Sequence, residues 1–539
     1  MFDLVITGGR VLDGSGNPWY WADVGVKDGR IAAIARVQPG ASSPLAGKAP
    51  VAVDARGKVV TPGFIDTHSH SDLPLLVNPT ADSKIAQGIT TEVIGQCGST
   101  LAPLTDKSLA LYRGAMRGPL ADAVDWSWRS FGQYLDRMEK QGTSVNVAGL
   151  VGHGPVRVAG MGFDQRPPTA DELRVMCGLV RGSVEEGAFG FSTGLIYTPC
   201  SYSELPELVA LARAAAKVGG IYFTHMRSEG EGLLAAVAES LAVGRQGGLP
   251  VHIAHLKASG VSQGKGPELI AALEAARAEG IDVTADQYPY TAGSTGLAAM
   301  LPPWAHEGGR EKMVARLKDP AERARIRKDM GGSLPGWDND FRAVPWTHVL
   351  ISGCSDTRYQ GRRMQEIADD QGQDPYTALF DLLADVDPGT GMIVFMMRED
   401  DVKLMMTHDL VCVGTDGSAI RPDGPLGQGK PHPRAYGTFP RVLGHYVREQ
   451  RVLTLQQAVR KMTSAGANRL GITDRGQIRE GWWADMVVLN PDTVIDRATY
   501  ENPHQFPDGI DHVLVNGQVV ISEGKHTGKL AGKVLRHRR

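Results

Sequence analysis

PGFIDTHSHSD, residues 62–72, places a short apolar run directly before a pair of histidines. The run GFID has the character of a buried strand, and His68 and His70 follow it two residues apart. Side chains at this spacing in a strand point to the same side, so both imidazoles can reach one metal ion. The pair alone fits two surface histidines equally well, and the rest of the chain must decide between these interpretations.

The same pattern, an apolar run followed by polar side chains, recurs along the sequence. Helical stretches lie between several of the runs, and this alternation predicts an α/β fold, a (β/α)8 TIM barrel with its chemistry at the C-terminal ends of the strands. The eight predicted strands are GFIDTHSH (63–70), TEVIGQC (91–97), VNVAGLVGH (145–153), AFGFSTG (188–194), IYFTHM (221–226), PVHIAHLK (250–257), IDVTADQY (281–288) and LVCVGTDG (410–417).

Metal-ligating side chains stand at the ends of these strands. One thiol, several imidazoles and a carboxylate form a ligand set that zinc favours, so a metal hydrolase is the first hypothesis. Cys97 has a second interpretation as a small buried residue, and Asp416 as a cap of the following turn. Beside an activated water, however, Asp416 can take a proton and return it to a leaving nitrogen. The complete set is His68, His70, Cys97, His225, His255 and Asp416.

Two further histidines are expected not to bind the metal. His252 lies three residues before His255, so we expect its side chain to point toward the helices and to have a structural role. His153 ends a predicted strand and is a candidate for a residue that contacts the metal ligands without binding the metal itself.

Composition excludes several function classes. The 57 Lys and Arg residues nearly balance the 60 Asp and Glu residues, which argues against a nucleic-acid partner. The sequence contains no run of 18 apolar residues, so we expect no membrane span, and the start MFDLVITGGR lacks the pattern of a signal peptide. The five cysteines are odd in number and unclustered, which argues against a disulfide framework. We therefore expect a cytoplasmic enzyme with a small-molecule substrate and without a membrane partner.

The chain ends differ from the middle. Residues 1–60 and 475–539 carry short alternating runs, including an Asn516-Gly517 hairpin signal, and predict one small β-domain formed by both termini. Residues 61–474 are predicted to form the barrel. More than 120 residues separate the last two predicted strands, which is too long for one helix with its loops. We predict an inserted subdomain over about 298–345, followed by extra secondary structure, with either a lid function or a purely structural one.

Several long motifs resemble the amidohydrolase superfamily and, within it, the N-acyl-D-amino-acid deacylase (D-aminoacylase) family. The similarity covers nearly the whole chain. The motifs are PGFIDTHSHSD, GITTEVIGQCG, STGLIY, FTHMRSE, HIAHLKASG, DQYPYTAGST, VGTDGS, HPRAYGTFPRVLG, MTSAGANRLG, DRGQIREGWWADMVVL and DRATY.

The resemblance implies a role for each candidate residue. Cys97, His225 and His255 would hold one tightly bound zinc, while His68, His70 and Asp416 would form an adjacent, weaker metal site. Asp416 would also be the catalytic acid and base, and Tyr197 would lie near the scissile carbonyl. The residues implied to bind the substrate carboxylate are Lys257, Tyr288, Ser294 and Arg434.

The sequence also departs from the family pattern. Gln96 stands where Asn is usual, and Ser99 and Thr100 replace Phe and Ser, so a side-chain preference cannot be transferred. No lysine stands where other amidohydrolases carry the carboxylated residue that bridges two metals, and the resemblance assigns that role to Cys97.

These observations predict zinc-dependent hydrolysis of N-acyl-D-amino acids to a carboxylate and a free D-amino acid. The alternatives are a cyclic-amide hydrolase of the hydantoinase or dihydroorotase type and a non-catalytic scaffold. The absent bridging lysine and Arg434 argue against the first, and the complete ligand set argues against the second. The sequence leaves open the D-side chain, the acyl group and the oligomeric state.

Overall fold

The computed structural model describes residues 1–38, 41–106, 108–110, 119–332, 334 and 337–537. Three residues of the predicted insertion and the last two residues of the predicted C-terminal segment therefore lie outside the described residues. The strands, in chain order, are β1 (Leu4–Val11), β2 (Tyr20–Lys27), β3 (Arg30–Arg36), β4 (Val51–Asp54), β5 (Val59–Pro62), β6 (Phe64–Asp66), β7 (Ile89–Ile94), β8 (Asn146–Gly149), β9 (Val151–Gly152), β10 (Gly190–Gly194), β11 (Ile221–His225), β12 (Val251–Ile253), β13 (Val283–Gln287), β14 (Ala292–Gly296), β15 (Val349–Gly353), β16 (Gly391–Phe395), β17 (Val411–Val413), β18 (Met486–Leu489), β19 (Ile510–Val515), β20 (Gln518–Ser522), β21 (Lys525–His526) and β22 (Val534–Leu535).

Among the described residues, no helix has the length and apolar character that crossing a membrane requires. The α-helices are Pro74–Val77, Asp82–Ile85, Pro119–Asp122, Phe131–Gln141, His153–Met161, Ala170–Glu185, Leu205–Ala216, Leu233–Gly247, Gly266–Ala278, Arg310–Lys318, Pro320–Gly331, Met364–Gln371, Pro375–Asp381, Glu399–Thr407, Arg434–Arg441, Leu455–Met462 and Ser464–Leu470.

The predicted (β/α)8 barrel is confirmed. Strands β6, β7 and β8 pair in parallel, and β9, which follows β8 directly, begins a second parallel series through β10, β11, β12, β13 and β17. A parallel bridge between Ser69 and Gly417 joins the first strand region to the last and closes the barrel. All eight C-terminal strand ends therefore open toward one face, where active sites of such barrels are found.

Strands from both chain ends form one nine-stranded sheet. Strand β18 pairs antiparallel with β5, so the C-terminal strands β18 to β21 continue the sheet of β1 to β5. The predicted Asn516-Gly517 turn is present between β19 and β20. Both residues have positive φ, +49° and +78°, which is the conformation that a two-residue hairpin of this type requires. The small β-domain formed by both termini is thus confirmed, while its exact bounds stay a prediction.

The last strand differs from the expectation. Strand β22 does not join the terminal sheet but pairs in parallel with β8 of the barrel, through Val534–Val147 and Leu535–Ala148. The physical reason is that one edge of β8 is unpaired, since β10 pairs with β9 and β8 pairs only with β7 among the other barrel strands of the described residues. Strand β22 covers this edge.

The inserted subdomain before the last strand is also confirmed, but it is larger than the 298–345 segment. Strands β14, β16 and β15 form a separate antiparallel sheet, and its helices share one apolar core that runs from Leu297 to Met396. The secondary structure predicted to follow the insertion is therefore part of the same packed unit.

A buried carboxylate connects the terminal sheet to the barrel. Asp485 forms an ion pair with Arg475, and the two side chains are only 4% and 3% exposed. The same carboxylate accepts hydrogen bonds from Asn146 of β8, at 3.1 Å, and from the backbone N–H of Asn516, at 2.6 Å.

We expect Asp485→Ala to destabilise the protein strongly, because it leaves Arg475 buried without its counter-charge. Breaking a buried ion pair costs about 3–5 kcal/mol. The measurement is the free energy of unfolding in urea. Asp508→Ala is the control, since Asp508 and its partner Arg497 are about half exposed and the loss should be much smaller. Similar losses for both variants would contradict this role of Asp485.

Candidate metal centre and active site

Two groups of ligating side chains share Cys97 at the C-terminal end of the barrel. The first contains Cys97, His225 and His255, and the second contains His68, His70, Cys97 and Asp416. Within each group the ligating atoms all lie within 4.8 Å of one another. The structure therefore brings together all six residues that the sequence predicts as ligands, although they come from five different strands.

The first group has the dimensions of a zinc site. Cys97 Sγ lies 3.5 Å from His255 Nε2 and 3.7 Å from His225 Nδ1. Tetrahedral zinc with its usual bond lengths separates a sulfur from a nitrogen ligand by about 3.5 Å. The donor set, one thiolate with two imidazoles, also leaves a fourth position free, as catalytic zinc sites do.

The second group adjoins the first on the side of β17. Asp416 Oδ1 lies 3.0 Å from His70 Nε2 and 3.4 Å from His68 Nε2, and His68 Nε2 lies 3.4 Å from Cys97 Sγ. Because Cys97 belongs to both groups, it would be available as a ligand in either of them.

The cluster favours the thiolate form of the cysteine. Burial alone would raise the pKa of the Cys97 thiol, but His68, His255 and His225 hold that pKa well below its ordinary value. Burial works against a charged His70, yet hydrogen bonding to Asp416 and to the Cys97 sulfur raises the pKa of His70 to about 9. Metal binding to His70 would therefore release a proton, whereas Cys97 is already in its ligating form.

Three candidate ligands occupy strained backbone conformations. The φ angles of Cys97, His255 and Asp416 are +52°, +36° and +50°. Such left-handed conformations cost about 1–3 kcal/mol for residues other than glycine and are concentrated at functional sites. Each of these residues lies just beyond the end of its strand, β7, β12 or β17, where the chain turns.

Two carboxylates behind the imidazoles orient them, and the sequence analysis missed both. Asp286 Oδ2 lies 3.4 Å from His68 Nδ1, and Glu229 Oε1 lies 3.1 Å from His255 Nδ1. Each contact leaves the opposite ring atom, Nε2, to face the cluster, which is how second-layer carboxylates usually support metal-binding histidines. Glu229, in FTHMRSE, lies just after a predicted strand, and Asp286, in VTADQ, lies near the end of another. Their positions in the sequence could therefore have identified both as candidates.

The expected direction of the His252 side chain is wrong, although His252 lies outside both ligand groups, as expected. Val251 and Ile253 pack into the core around the helices, whereas His252 points into the barrel, where its Nε2 lies 2.9 Å from Asp286 Oδ2. Strand β12 ends at Ile253, and His255 has a positive φ, so the alternation of sides does not extend from His252 to His255. His153 is buried and contacts Glu207 at 2.8 Å, outside both ligand groups.

A small cavity beside the ligands is lined by several of the residues implied in substrate binding. Tyr197, Lys257, Tyr288 and Ser294 line it together with Asp416. An adjoining cavity of about 270 Å³ shares Tyr197 as part of its wall. Tyr197 packs its ring edge against His225, and its hydroxyl oxygen accepts a hydrogen bond from Thr295 at 3.0 Å.

Arg434 lies behind this cavity and contacts the predicted base directly. Its Nη1 forms an ion pair with Asp416 Oδ2 at 2.8 Å, and its Nη2 donates to the backbone oxygen of Ser294 at 3.1 Å. Burial alone would raise the pKa of the Asp416 carboxyl, but Arg434, His255 and His68 hold it well below its usual range. Arg434 can thus act on the proton acceptor as well as on a substrate carboxylate.

Lys257 forms a second buried charge pair. Its Nζ lies 2.6 Å from Glu229 Oε1 and 2.7 Å from His255 Nδ1. Burial would raise the pKa of Glu229, but Lys257, His225 and His255 hold it below its ordinary value. The Lys257 ammonium also lies over the ring of Tyr288, 5.6 Å from its centroid.

The departures from the family pattern lie outside the cavity wall. The Gln96 amide donates to the backbone oxygen of Thr67, and the Thr100 hydroxyl contacts the backbone of Ala102 and Gly152. Neither residue, nor Ser99, belongs to the described residues that line the cavity.

We expect Cys97→Ala to lose most of the zinc that co-purifies with the protein, because the thiolate is the strongest donor of the first group. Elemental analysis of the purified variant measures this loss. The barrel should stay folded, since a core of this size does not depend on one ion. Cys354→Ala, at a buried cysteine of the insertion, should keep its zinc. Full zinc retention in Cys97→Ala would remove Cys97 from the ligand set.

Comparison with known proteins agrees with this geometry. Residues 51–521 match the model of a family described as "Amidohydrolase family". The chain is 37% identical to a D-aminoacylase of Alcaligenes xylosoxydans xylosoxydans, over 99% of this chain and 97% of that protein. It is also 37% identical to an N-acyl-D-glutamate deacylase of the same organism, over 99% and 96%.

A solved structure extends the match to three dimensions. The N-acyl-D-glutamate deacylase of Bordetella bronchiseptica, in complex with zinc and a phosphonate inhibitor, is 36% identical and superimposes with a TM-score of 0.79, over 99% of this chain and all of that one. The chain therefore belongs to the amidohydrolase family and, within it, to the group of N-acyl-D-amino-acid deacylases.

Proposed function

We propose that this protein is a zinc-dependent N-acyl-D-amino-acid deacylase. It hydrolyses a linear amide, so that water is added across the C–N bond and a carboxylate and a free D-amino acid are formed. The observation that carries the proposal is the Cys97, His225 and His255 group beside Asp416, in a chain that aligns over 99% of its length with relatives named for this activity.

We assign the tight zinc site to Cys97, His225 and His255, and an adjacent, weaker site to His68, His70 and Asp416. When bound, zinc supplies Lewis-acid chemistry that polarises the acyl carbonyl. Side chains of the protein carry out the remaining steps.

Asp416 acts as the general base and then as the general acid. Its carboxylate is kept ionised by Arg434 and stands at the edge of the cavity, so it can accept a proton from the attacking water. The same proton is then available for the amine nitrogen when the C–N bond breaks. We assign to Tyr197, which lines the same cavity and packs against His225, a hydrogen bond to the carbonyl oxygen as negative charge develops there.

Arg434, Lys257, Tyr288 and Ser294 bind the substrate α-carboxylate. Two cations converge on Tyr288, since the Arg434 guanidinium lies 4.8 Å and the Lys257 ammonium 5.6 Å from its ring centroid. With the amide and the carboxylate both held, only one enantiomer can direct its side chain into the remaining space. The family to which the chain belongs supports the D-enantiomer.

We place the enzyme in the cytoplasm. All five cysteines are free, and Cys97 needs a reduced thiol to act as a ligand. The substrate is a small molecule, and no nucleic acid or membrane takes part.

We expect Asp416→Asn to lower kcat by about 10²–10⁴-fold, because the amide keeps the shape of the side chain but cannot accept the proton. Zinc should remain bound by Cys97, His225 and His255, and elemental analysis provides this control. If the variant keeps more than about a tenth of the wild-type kcat, a loss far below that range, another residue is the base.

The proposed function is tested with paired N-acetyl-D- and N-acetyl-L-amino acids. Turnover should be confined to the D-series, and the corresponding D-carboxamides should be poor substrates. Equal rates on both enantiomers, or good turnover without a carboxylate, would overturn the assignment.

Arg434→Ala tests whether this arginine acts mainly on the substrate carboxylate or on Asp416. With D-carboxylates, kcat/KM should fall by about 10- to 150-fold, the equivalent of roughly 1.5–3 kcal/mol for a hydrogen bond to a charged group. With D-carboxamides the loss should be much smaller if Arg434 chiefly binds the substrate. An equal loss on both substrates would instead assign Arg434 to Asp416.

A further inference from the structure

Lys84 is fully buried next to the segments after β6 and β17 that close the barrel. We propose that Lys84 is a positioning residue that fixes the Asp416 loop against the His68–His70 segment. The inference rests on the proposed function, in which Asp416 moves the proton. Lys84, Asp66, Glu92, Ser69 and Thr415 are each 0% exposed, so the whole group is sealed inside the fold.

The Lys84 ammonium contacts both sides of the closure. On the side of β6, its Nζ donates to Asp66 Oδ2 at 2.7 Å and to Ser69 Oγ at 3.2 Å. On the side of β17, it donates to Thr415 Oγ1 at 2.7 Å and to the backbone oxygen of Gly417 at 2.9 Å. Ser69 stands between the two histidines, and Thr415 and Gly417 flank Asp416.

Two carboxylates complete this connection. Asp66 Oδ1 accepts from the backbone N–H of Thr415 at 2.8 Å, while its Oδ2 accepts from the Thr415 hydroxyl at 2.7 Å. Glu92 of β7 lies 3.5 Å from the Lys84 ammonium and accepts a hydrogen bond from the Ser69 hydroxyl. A single buried cation thus forms ion pairs with two buried carboxylates and donates hydrogen bonds to acceptors on both sides of the closure.

The backbone of Asp416 depends on this arrangement. Its N–H donates to the His68 oxygen at 2.8 Å, and its φ of +50° is a costly conformation that the surrounding contacts must maintain. Lys84 does not line the cavity beside the ligands. Its effect on the reaction therefore passes through the position of Asp416, while Cys97, His225 and His255 are carried by other strands.

The test is a double-mutant cycle between Lys84→Met and Asp416→Asn. Methionine keeps the length of the side chain and removes the donors. A misplacement of about 1 Å at a reacting group can cost roughly 10²-fold, so we expect kcat to fall by about 10- to 100-fold with KM and zinc content unchanged. In the Asp416→Asn background, Lys84→Met should cause no further loss, because the two changes act through one group.

Lys461→Met is the matched control. Lys461 is also buried, at 2% exposure, and its ammonium donates to the backbone oxygens of His408 and Val411 at the opposite end of the same strand, β17. This variant should leave kcat close to the wild-type value. If Lys84→Met does not fold, Thr415→Val tests the same connection by the same criterion, because it keeps the shape of the side chain and removes the hydroxyl that Lys84 and Asp66 both contact.

Hydrogen exchange gives a second readout that needs no substrate. The backbone amides of residues 415–418 should exchange faster in Lys84→Met than in the wild type, whereas Lys461→Met should leave them unchanged. The role of Lys84 would be overturned if the kcat losses of Lys84→Met and Asp416→Asn multiply in the double mutant and the amides of residues 415–418 exchange at the wild-type rate. A wild-type protein without deacylase activity would contradict the proposed function instead, and the exchange measurement would still decide the role of Lys84.

Discussion

Closure of the barrel between β6 and β17 is the constraint on which the site depends. The two strands are about 350 residues apart in sequence, and the segments that follow them meet through backbone hydrogen bonds. The Asp416 N–H donates to the His68 oxygen at 2.8 Å, and the His70 N–H donates to the Gly417 oxygen at 3.0 Å within the parallel bridge between Ser69 and Gly417. A shift of one residue in this pairing would displace the carboxylate by about 3.3 Å, which exceeds its distance to the histidine it contacts most closely. The position of β17 therefore determines whether a proton acceptor faces the metal ligands.

The parts of the fold that sequence reasoning predicted correctly are those with a local signal. Each barrel strand is a short apolar run, and each ligand follows such a run directly, so Cys97, His225 and Asp416 could be identified one at a time. The C-terminal ends of parallel strands meet on one face, and this rule alone brings the residues together. The Asn516-Gly517 turn is equally local, since the dipeptide itself favours the positive φ angles that are observed.

The residues that were missed or misjudged depend on partners that are distant in the sequence. A buried lysine such as Lys84 is stable only because Asp66 and Glu92 arrive from two strands, and the pattern around Lys84 does not contain them. The side that His252 faces was misjudged because β12 ends earlier than the apolar run suggested. Strand β22 pairs with an edge of β8 that is free because β10 pairs with β9 and not with β8. The sequence around β22 contains no sign of this edge.

The barrel and the insertion contribute different kinds of residue to the active site. The ligands, Lys257 and the Arg434–Asp416 pair come from the barrel and are coupled by short contacts between charges, so a change at one alters the charge balance of the others. The insertion contributes the apolar Phe341, Val394 and Met396 to the same cavity, together with the polar Ser294, Thr295 and Asp340. Because apolar contacts are non-directional, the apolar part of this wall can be repacked without moving a ligand atom.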